Sequence, residues 1–185
     1  VPSATGNLAM TMSPCRVATL AFVATCTIVA LANPVFASSA ADATCQSGHA
    51  KVHVTVAGLK DRTGTLRLEL YPAVEADFLK SDKALEREGK VFRRIAIPVP
   101  PAGPIALCIA VPTSGRYALI AIHDRHGGSK FSVVQDGVGV PGQATIGRSR
   151  PKLAQAIVTV TNGVGRATIR LQYLRGLAGF MPMPS

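Results

Sequence analysis

The chain contains no tryptophan, and aromatic residues make up only 5% of it. A surface that stacks successive bases needs several exposed rings beside its positive charge. Lys and Arg number 20 against 10 Asp and Glu, but the Arg residues are spread along the chain. No nucleic-acid partner is expected. Acidic residues are few, and the carboxylates of 75–88 alternate with Lys and Arg as on a solvated face. No pair stands apart for acid–base work. There is no Gly-x-Ser-x-Gly elbow. There is no phosphate loop either, because Gly58 to Gly64 has the wrong spacing and no Lys-Ser or Lys-Thr follows it. Gly137-Val138-Gly139-Val140-Pro141-Gly142 spells a dinucleotide motif, but Pro141 interrupts it and no helix can be read after it, so it is expected to be loop. His49 and His53 are four apart, which on a strand is roughly 13 Å and too far for one metal.

A membrane-spanning run is also missing. The longest uncharged apolar stretch, residues 17–31, falls short of the roughly 18 residues a span requires. It follows Arg16, the one charged residue among the first 37. Asn33-Pro34 breaks it, and Val35-Phe36-Ala37 gives a small-x-small step before Ser38. That order is the layout of a signal peptide. Residues 1–37 are expected to be leader and upstream residues, with cleavage near Ala37 and the product periplasmic or secreted. The remainder keeps nearly all of the formal charge of +10, which admits weak contact with an anionic membrane surface. It has the size of one domain with a real core. Two of the four cysteines lie beyond the leader, Cys45 and Cys108. Export permits a disulfide between them; two buried thiols are the alternative.

Periodicity in this remainder is that of strands. Residues 38–50 are a small, polar lead-in. Val52, Val54 and Val56 alternate with His53 and Thr55. Leu66, Leu68 and Leu70 alternate with Arg67 and Glu69, as in a half-exposed strand, and 60–64 between these runs has turn chemistry, so the two read as a hairpin. Residues 75–88 are charged and hold the one short helix expected, near 75–79. Strands follow at 91–99 and 105–111. Asn162-Gly163 separates strands at 154–161 and 166–173 and is the strongest hairpin signal in the chain. In the last strand Ala167, Ile169, Leu171 and Tyr173 are expected inward, and Arg166, Thr168, Arg170 and Gln172 outward. Residues 175–185 are expected to be a flexible tail.

The most apolar run after the leader is Gly-Arg-Tyr-Ala-Leu-Ile-Ala-Ile-His-Asp at 115–124. Leu119, Ala121 and His123 share one face, and Ala118, Ile120 and Ile122 the other. Apolar residues on both faces mark a strand covered on both sides. Tyr117, two residues after Gly115, has the placing of a tyrosine corner, in which the hydroxyl bonds nearby backbone; an ordinary core tyrosine is the plainer account. The Gly-rich segment 125–150 is the longest connection. The fold expected over 51–174 is all-β, an immunoglobulin-like or transthyretin-like antiparallel β-sandwich of about seven strands.

These residues resemble an uncharacterised bacterial family, domain of unknown function 2141, over about 52–173. The resemblance rests on Val54-x-Val56-x-Gly58-Leu59 and Gly64-x-Leu66-x-Leu68. It continues through Gly115-x-Tyr117-Ala118 into His123-Asp124, then Gly139-Val140-Pro141, then Pro151-x-Leu153-x-x-Ala156. It implies a small exported β-sandwich with no established reaction, and it transfers no catalytic residue. The family follows His-Asp with an Asn/Asp-rich, Lys-containing loop that looks like a cation site. Here Lys130 remains, but the acidic and amide ligands are absent from 125–132.

Two functional readings remain. The favoured one is a non-catalytic protein of the cell envelope that binds a partner or ligand through its loops, with no cofactor. The alternative is a metal-dependent enzyme or hydrolase using His123, Asp124 and His126. Against the alternative, His123 ends a buried strand and Asp124 is placed to cap the turn after it.

Overall fold

The computed structural model describes residues 50–128, 130–142 and 145–184. The leader, the cleavage site near Ala37, the lead-in to His49 and Cys45 lie outside the described residues. Ten strands form two sheets. The first six are β1 (Lys51–Ala57), β2 (Thr65–Pro72), β3 (Arg93–Pro98), β4 (Ile105–Ala110), β5 (Gly115–Asp124) and β6 (Gly137–Gly139). After them come β7 (Ile157–Val160), β8 (Val164–Arg170), β9 (Gln172–Leu174) and β10 (Phe180–Pro182). The small sheet has the order β4-β1-β8, and the large one β10-β9-β6-β5-β2-β3. β7 joins the large sheet beside the first half of β5, while β6 lies beside its second half. All pairings are antiparallel except β1 with β8, which is parallel. The architecture is an all-β sandwich, as expected.

The alternation of apolar residues builds the interior directly. Val52, Val54 and Val56 of β1, Leu107 and Ile109 of β4 and Ile169 of β8 face Leu66, Leu68 and Leu70 of β2 and Leu119 and Ala121 of β5. Fully burying a side chain of this size contributes about 1.5–3 kcal/mol. The opposite face of β5 enters a second cluster. Ala118 and Ile120 pack there with Tyr71, Leu85, Val138, Val140, Ile146 and Ala156. The large sheet is therefore covered on both sides.

Several expectations need correction, and most trace to that second cover. β1 and β2 are not a hairpin, because they lie in different sheets and the 60–64 turn carries the chain from one to the other. The outer face of β2 is not half-exposed: Glu69 is 5% exposed, accepting from the Tyr71 hydroxyl at 2.6 Å and the Arg94 Nε at 2.8 Å. The 72–92 segment that covers it holds the short helix at Asp82–Arg87, capped by Ser81, rather than at 75–79. Nor is that segment wholly solvated, since Asp77 is buried and paired with Lys90 at 2.5 Å. Asn162 and Gly163 both have positive φ, 51° and 79°, as a two-residue hairpin turn requires. Beyond Thr161 and Val164 the flanking strands part, β7 to the large sheet and β8 to the small one.

The expected strand at 154–161 begins instead with one helical turn, Leu153–Ala156, where the Gln155 side chain accepts from the Lys152 N–H. The expected strand at 166–173 changes sheet at Leu171, whose N–H reaches Ala57. Gln172 consequently points into the covered outer layer instead of solvent. It is 1% exposed and accepts from the Ile146 N–H at 3.0 Å. The tail is not loose over its described length. β10 pairs with β9, and Phe180 bridges to Gly147. Among the described residues no helix is long and apolar enough to cross a membrane.

Candidate functional site

Gly115 opens β5, and the hydroxyl of Tyr117 donates to the carbonyl of Thr113 at 2.9 Å. At the other end of the strand His123 is fully buried. Its Nε2 lies 2.7 Å from the Thr63 carbonyl and its Nδ1 2.7 Å from the Tyr173 hydroxyl. A carbonyl only accepts, so Nε2 donates to Thr63, while Nδ1 is paired with the Tyr173 hydroxyl. The same hydroxyl accepts from the Lys60 N–H at 3.0 Å. Burial pushes the Tyr173 phenol up to about 12, which keeps it protonated as a donor. The ring reaches this place across Gly137, where an added Cβ would lie 2.4 Å from it. Gly139, next but one in β6, is buried opposite Ala121. The Gly137-x-Gly139 stretch is thus a strand that lets β9 approach, and not loop.

His123 therefore faces the interior, on the side of β5 away from Asp124. Asp124 Oδ1 accepts from the N–H groups of Gly127 at 2.8 Å and Gly128 at 3.2 Å. The third member of the cluster is Asp136, which sequence reasoning did not select. Asp124, His126 and Asp136 each offer one ligand atom, all within 4.8 Å of one another. His126 Nδ1 lies 3.0 Å from Asp136 Oδ1 and 3.5 Å from Asp124 Oδ1. The oxygens are already engaged. Asp136 accepts backbone N–H groups from Arg125 at 3.0 Å and Ser132 at 2.7 Å, and Asp124 Oδ2 faces Arg67 at 3.8 Å. Burial pushes the Asp136 carboxyl up, but the Ser132 and Arg125 donors and His126 hold it net below its ordinary value. The arrangement is what a tight loop needs: two carboxylates that satisfy donors which would otherwise be buried unpaired.

A second feature lies on the outer face of the large sheet. A cavity of about 460 Å³ opens there, within the range of about 300–1,000 Å³ typical of small-molecule sites. Ile120 and Ile122 of β5 and Val138 of β6 line it, with Leu79, Phe131 and Phe180 around them. The Phe131 and Phe180 rings lie 6.0 Å apart. Pro141 leads β6 out of this region, and Pro151, with Arg148 and Arg150, stands at the cavity's edge. Leu79 has φ 62°, a left-handed backbone that costs a non-glycine residue roughly 1–2 kcal/mol. It is held there beside the cavity, and residues strained in this way cluster at binding sites. Sequence reasoning missed the cavity because its lining comes from six separated segments. The one usable signal was the doubly apolar β5.

Two outcomes are expected from these contacts. Asp124→Ala should lower stability by roughly 1–3 kcal/mol, the scale of a lost charged hydrogen bond. His126→Ala should stay within about 0.5 kcal/mol, since Asp136 keeps both backbone donors. Urea midpoints of the two variants beside the parent measure both.

A third outcome concerns acid. The Arg125 guanidinium beside Asp61 holds that carboxyl down to about 2. A carboxylate depressed in the folded state stabilises above its unfolded value, and loses that contribution as pH falls through its folded one. Asp61→Asn should therefore flatten the fall in stability between about pH 4 and about pH 2. An unchanged slope in urea titrations across that window would exclude the pairing as a source of acid sensitivity.

No curated protein and no solved structure matches the chain. Residues 54–168 match a family described as an uncharacterised protein conserved in bacteria, domain of unknown function 2141. That span runs from β1 into β8 and takes in strands of both sheets, the 124–136 loop and much of the cavity lining, with β9 and β10 outside it. With this match across most of the sandwich, the chain belongs to the bacterial family of domain of unknown function 2141.

Proposed function

We propose that the protein is an exported, non-catalytic binding protein of the bacterial envelope, which holds a small apolar ligand in the cavity on the outer face of the large sheet. The observation that carries this reading is the cavity itself. It is concave, apolar and walled by residues from β5, β6, β10 and three loops, and a site of that make-up is the default place for a ligand. The backbone strain at Leu79 supports it. The absence of catalysis is supported by the 123–136 region, where His123 is locked between Thr63 and Tyr173 and the carboxylates are occupied by N–H groups. The segment 125–151 then acts as a wall of the cavity and not as a reactive loop.

A neutral fluorescent probe, N-phenyl-1-naphthylamine, should bind the purified protein saturably at one site. Ile122→Glu and Phe131→Ala should each weaken that binding several-fold at an unchanged urea midpoint. Ile122 is only partly buried and Phe131 is 38% exposed, so neither change threatens the interior. Absence of saturable binding, or binding indifferent to both changes, would sink the proposal.

Export rests on the order Arg16, apolar run, Asn33-Pro34, Val35-Phe36-Ala37. The Cys45–Cys108 disulfide is proposed with it. Cys108 is buried in β4, and closing a loop of this length would stabilise the fold by roughly 4 kcal/mol in the chain-entropy account. Intact mass of protein from the envelope, before and after reduction, should give a chain beginning at Ser38 that gains two hydrogens on reduction. A full-length chain, or a mass unaltered by reduction, would refute the corresponding half.

A further inference from the structure

The charges around the cavity say what kind of ligand suits it, provided the cavity is the binding site. Arg148 and Arg150 both line it, with Ser149 between them, and no Asp or Glu does. Elsewhere on the sandwich three guanidinium groups have carboxylate partners, while the partly buried Arg170 reaches only the Met183 carbonyl. Arg67 faces Asp124, Arg94 is paired with Glu69 and Asp82, and Arg125 with Asp61. Among the described residues Arg148 and Arg150 have none. Arg148 donates only through Nε, to the carbonyl of Leu177, and Arg150 makes no hydrogen bond. Two uncompensated cations at one edge of an apolar cavity attract a ligand that is apolar along most of its length and anionic at one end.

The size narrows this further. One cavity of about 460 Å³ accommodates one alkyl chain and leaves no second slot for a diacyl lipid. We propose that the cavity takes a free single-chain amphiphile with an anionic head, its tail along Ile120, Ile122 and Val138 and its head at Arg148 and Arg150. A long-chain carboxylate is the simplest such molecule. Phe131 over Phe180 then closes on the tail, while the head stays at the rim where water reaches it. This arrangement avoids burying a charge without a partner.

Displacement of N-phenyl-1-naphthylamine from the purified protein tests this with three competitors of equal tail length: dodecanoate, dodecanol and dodecyltrimethylammonium. Dodecanoate should compete about tenfold more tightly than dodecanol, the scale of one charge-assisted contact, and the cationic competitor least well. The double variant Arg148→Gln/Arg150→Gln should remove the carboxylate advantage and leave dodecanol unaffected. Arg150→Gln alone, which breaks no hydrogen bond or ion pair, should remove part of it. If the probe binds but dodecanoate and dodecanol compete equally, or the advantage survives in the double variant, the head assignment fails and the apolar site stands. If the probe does not bind, both fail. Val133 and Val134, 51% and 74% exposed, stand beside the cavity and provide for one more outcome. Sedimentation with phosphatidylglycerol vesicles, without displacement of the probe by dodecanoate in vesicle-free solution, would assign the basic rim to a membrane and overturn the proposal.

Discussion

A strand that is apolar on both faces obliges the chain to cover it twice. β5 has Leu119 and Ala121 on one face and Ala118, Ile120 and Ile122 on the other. The first face is closed by the small sheet. The second has no sheet to close it, and is covered by the 72–92 segment, Val140, Ile146, the helical turn Leu153–Ala156 and Phe180. Irregular segments do not tile a flat sheet as another sheet does. Interiors packed from regular layers leave few voids larger than a water molecule, and it is in the irregular layer that the cavity of about 460 Å³ remains. The candidate site is thus a direct result of how one strand's second face is covered.

Covering that face also buries polar groups, and three of them have partners, while Arg67 Nε has none. Glu69 holds Tyr71 and Arg94, Gln172 holds the Ile146 N–H, and Asp136 holds Arg125 and Ser132. Leaving one such group unpaired costs about 1–3 kcal/mol. Burial, and then Glu69 beside it, push the Tyr71 phenol up, which keeps it protonated as the donor to Glu69. These contacts are specific in direction where apolar packing is not. They fix which irregular segment lies over which strand.

The fold was largely legible in the sequence because alternation is local. Val52, Val54 and Val56, Leu66, Leu68 and Leu70, and the two faces of β5 could be placed from their spacing alone. What could not be placed was anything decided by the second cover. Arg67 and Glu69 look like solvent-facing residues of a half-exposed strand, yet Glu69 is buried under the 72–92 segment and Arg67 is partly covered beside Asp124. Gln172 was misplaced for the same reason. Gly137 and Gly139 read as loop because glycine is poor strand material, whereas here its smallness is what admits Tyr173 and Ile169. His123, Asp124 and His126 lie within four residues of sequence, yet period-two geometry sends His123 to the interior and Asp124 to the loop. Asp136, twelve residues on, completes the group that His123 leaves.

The parallel pairing of β1 with β8 joins the beginning of the domain to nearly its end. Around it Lys60 is bonded to Tyr173 across 113 residues of chain. Such contacts can form only after almost the entire domain is available, and their loop closure must be met before they contribute anything. A chain built this way has high contact order and folds late and slowly. Its two sheets lock together only when the last strands arrive beside the first.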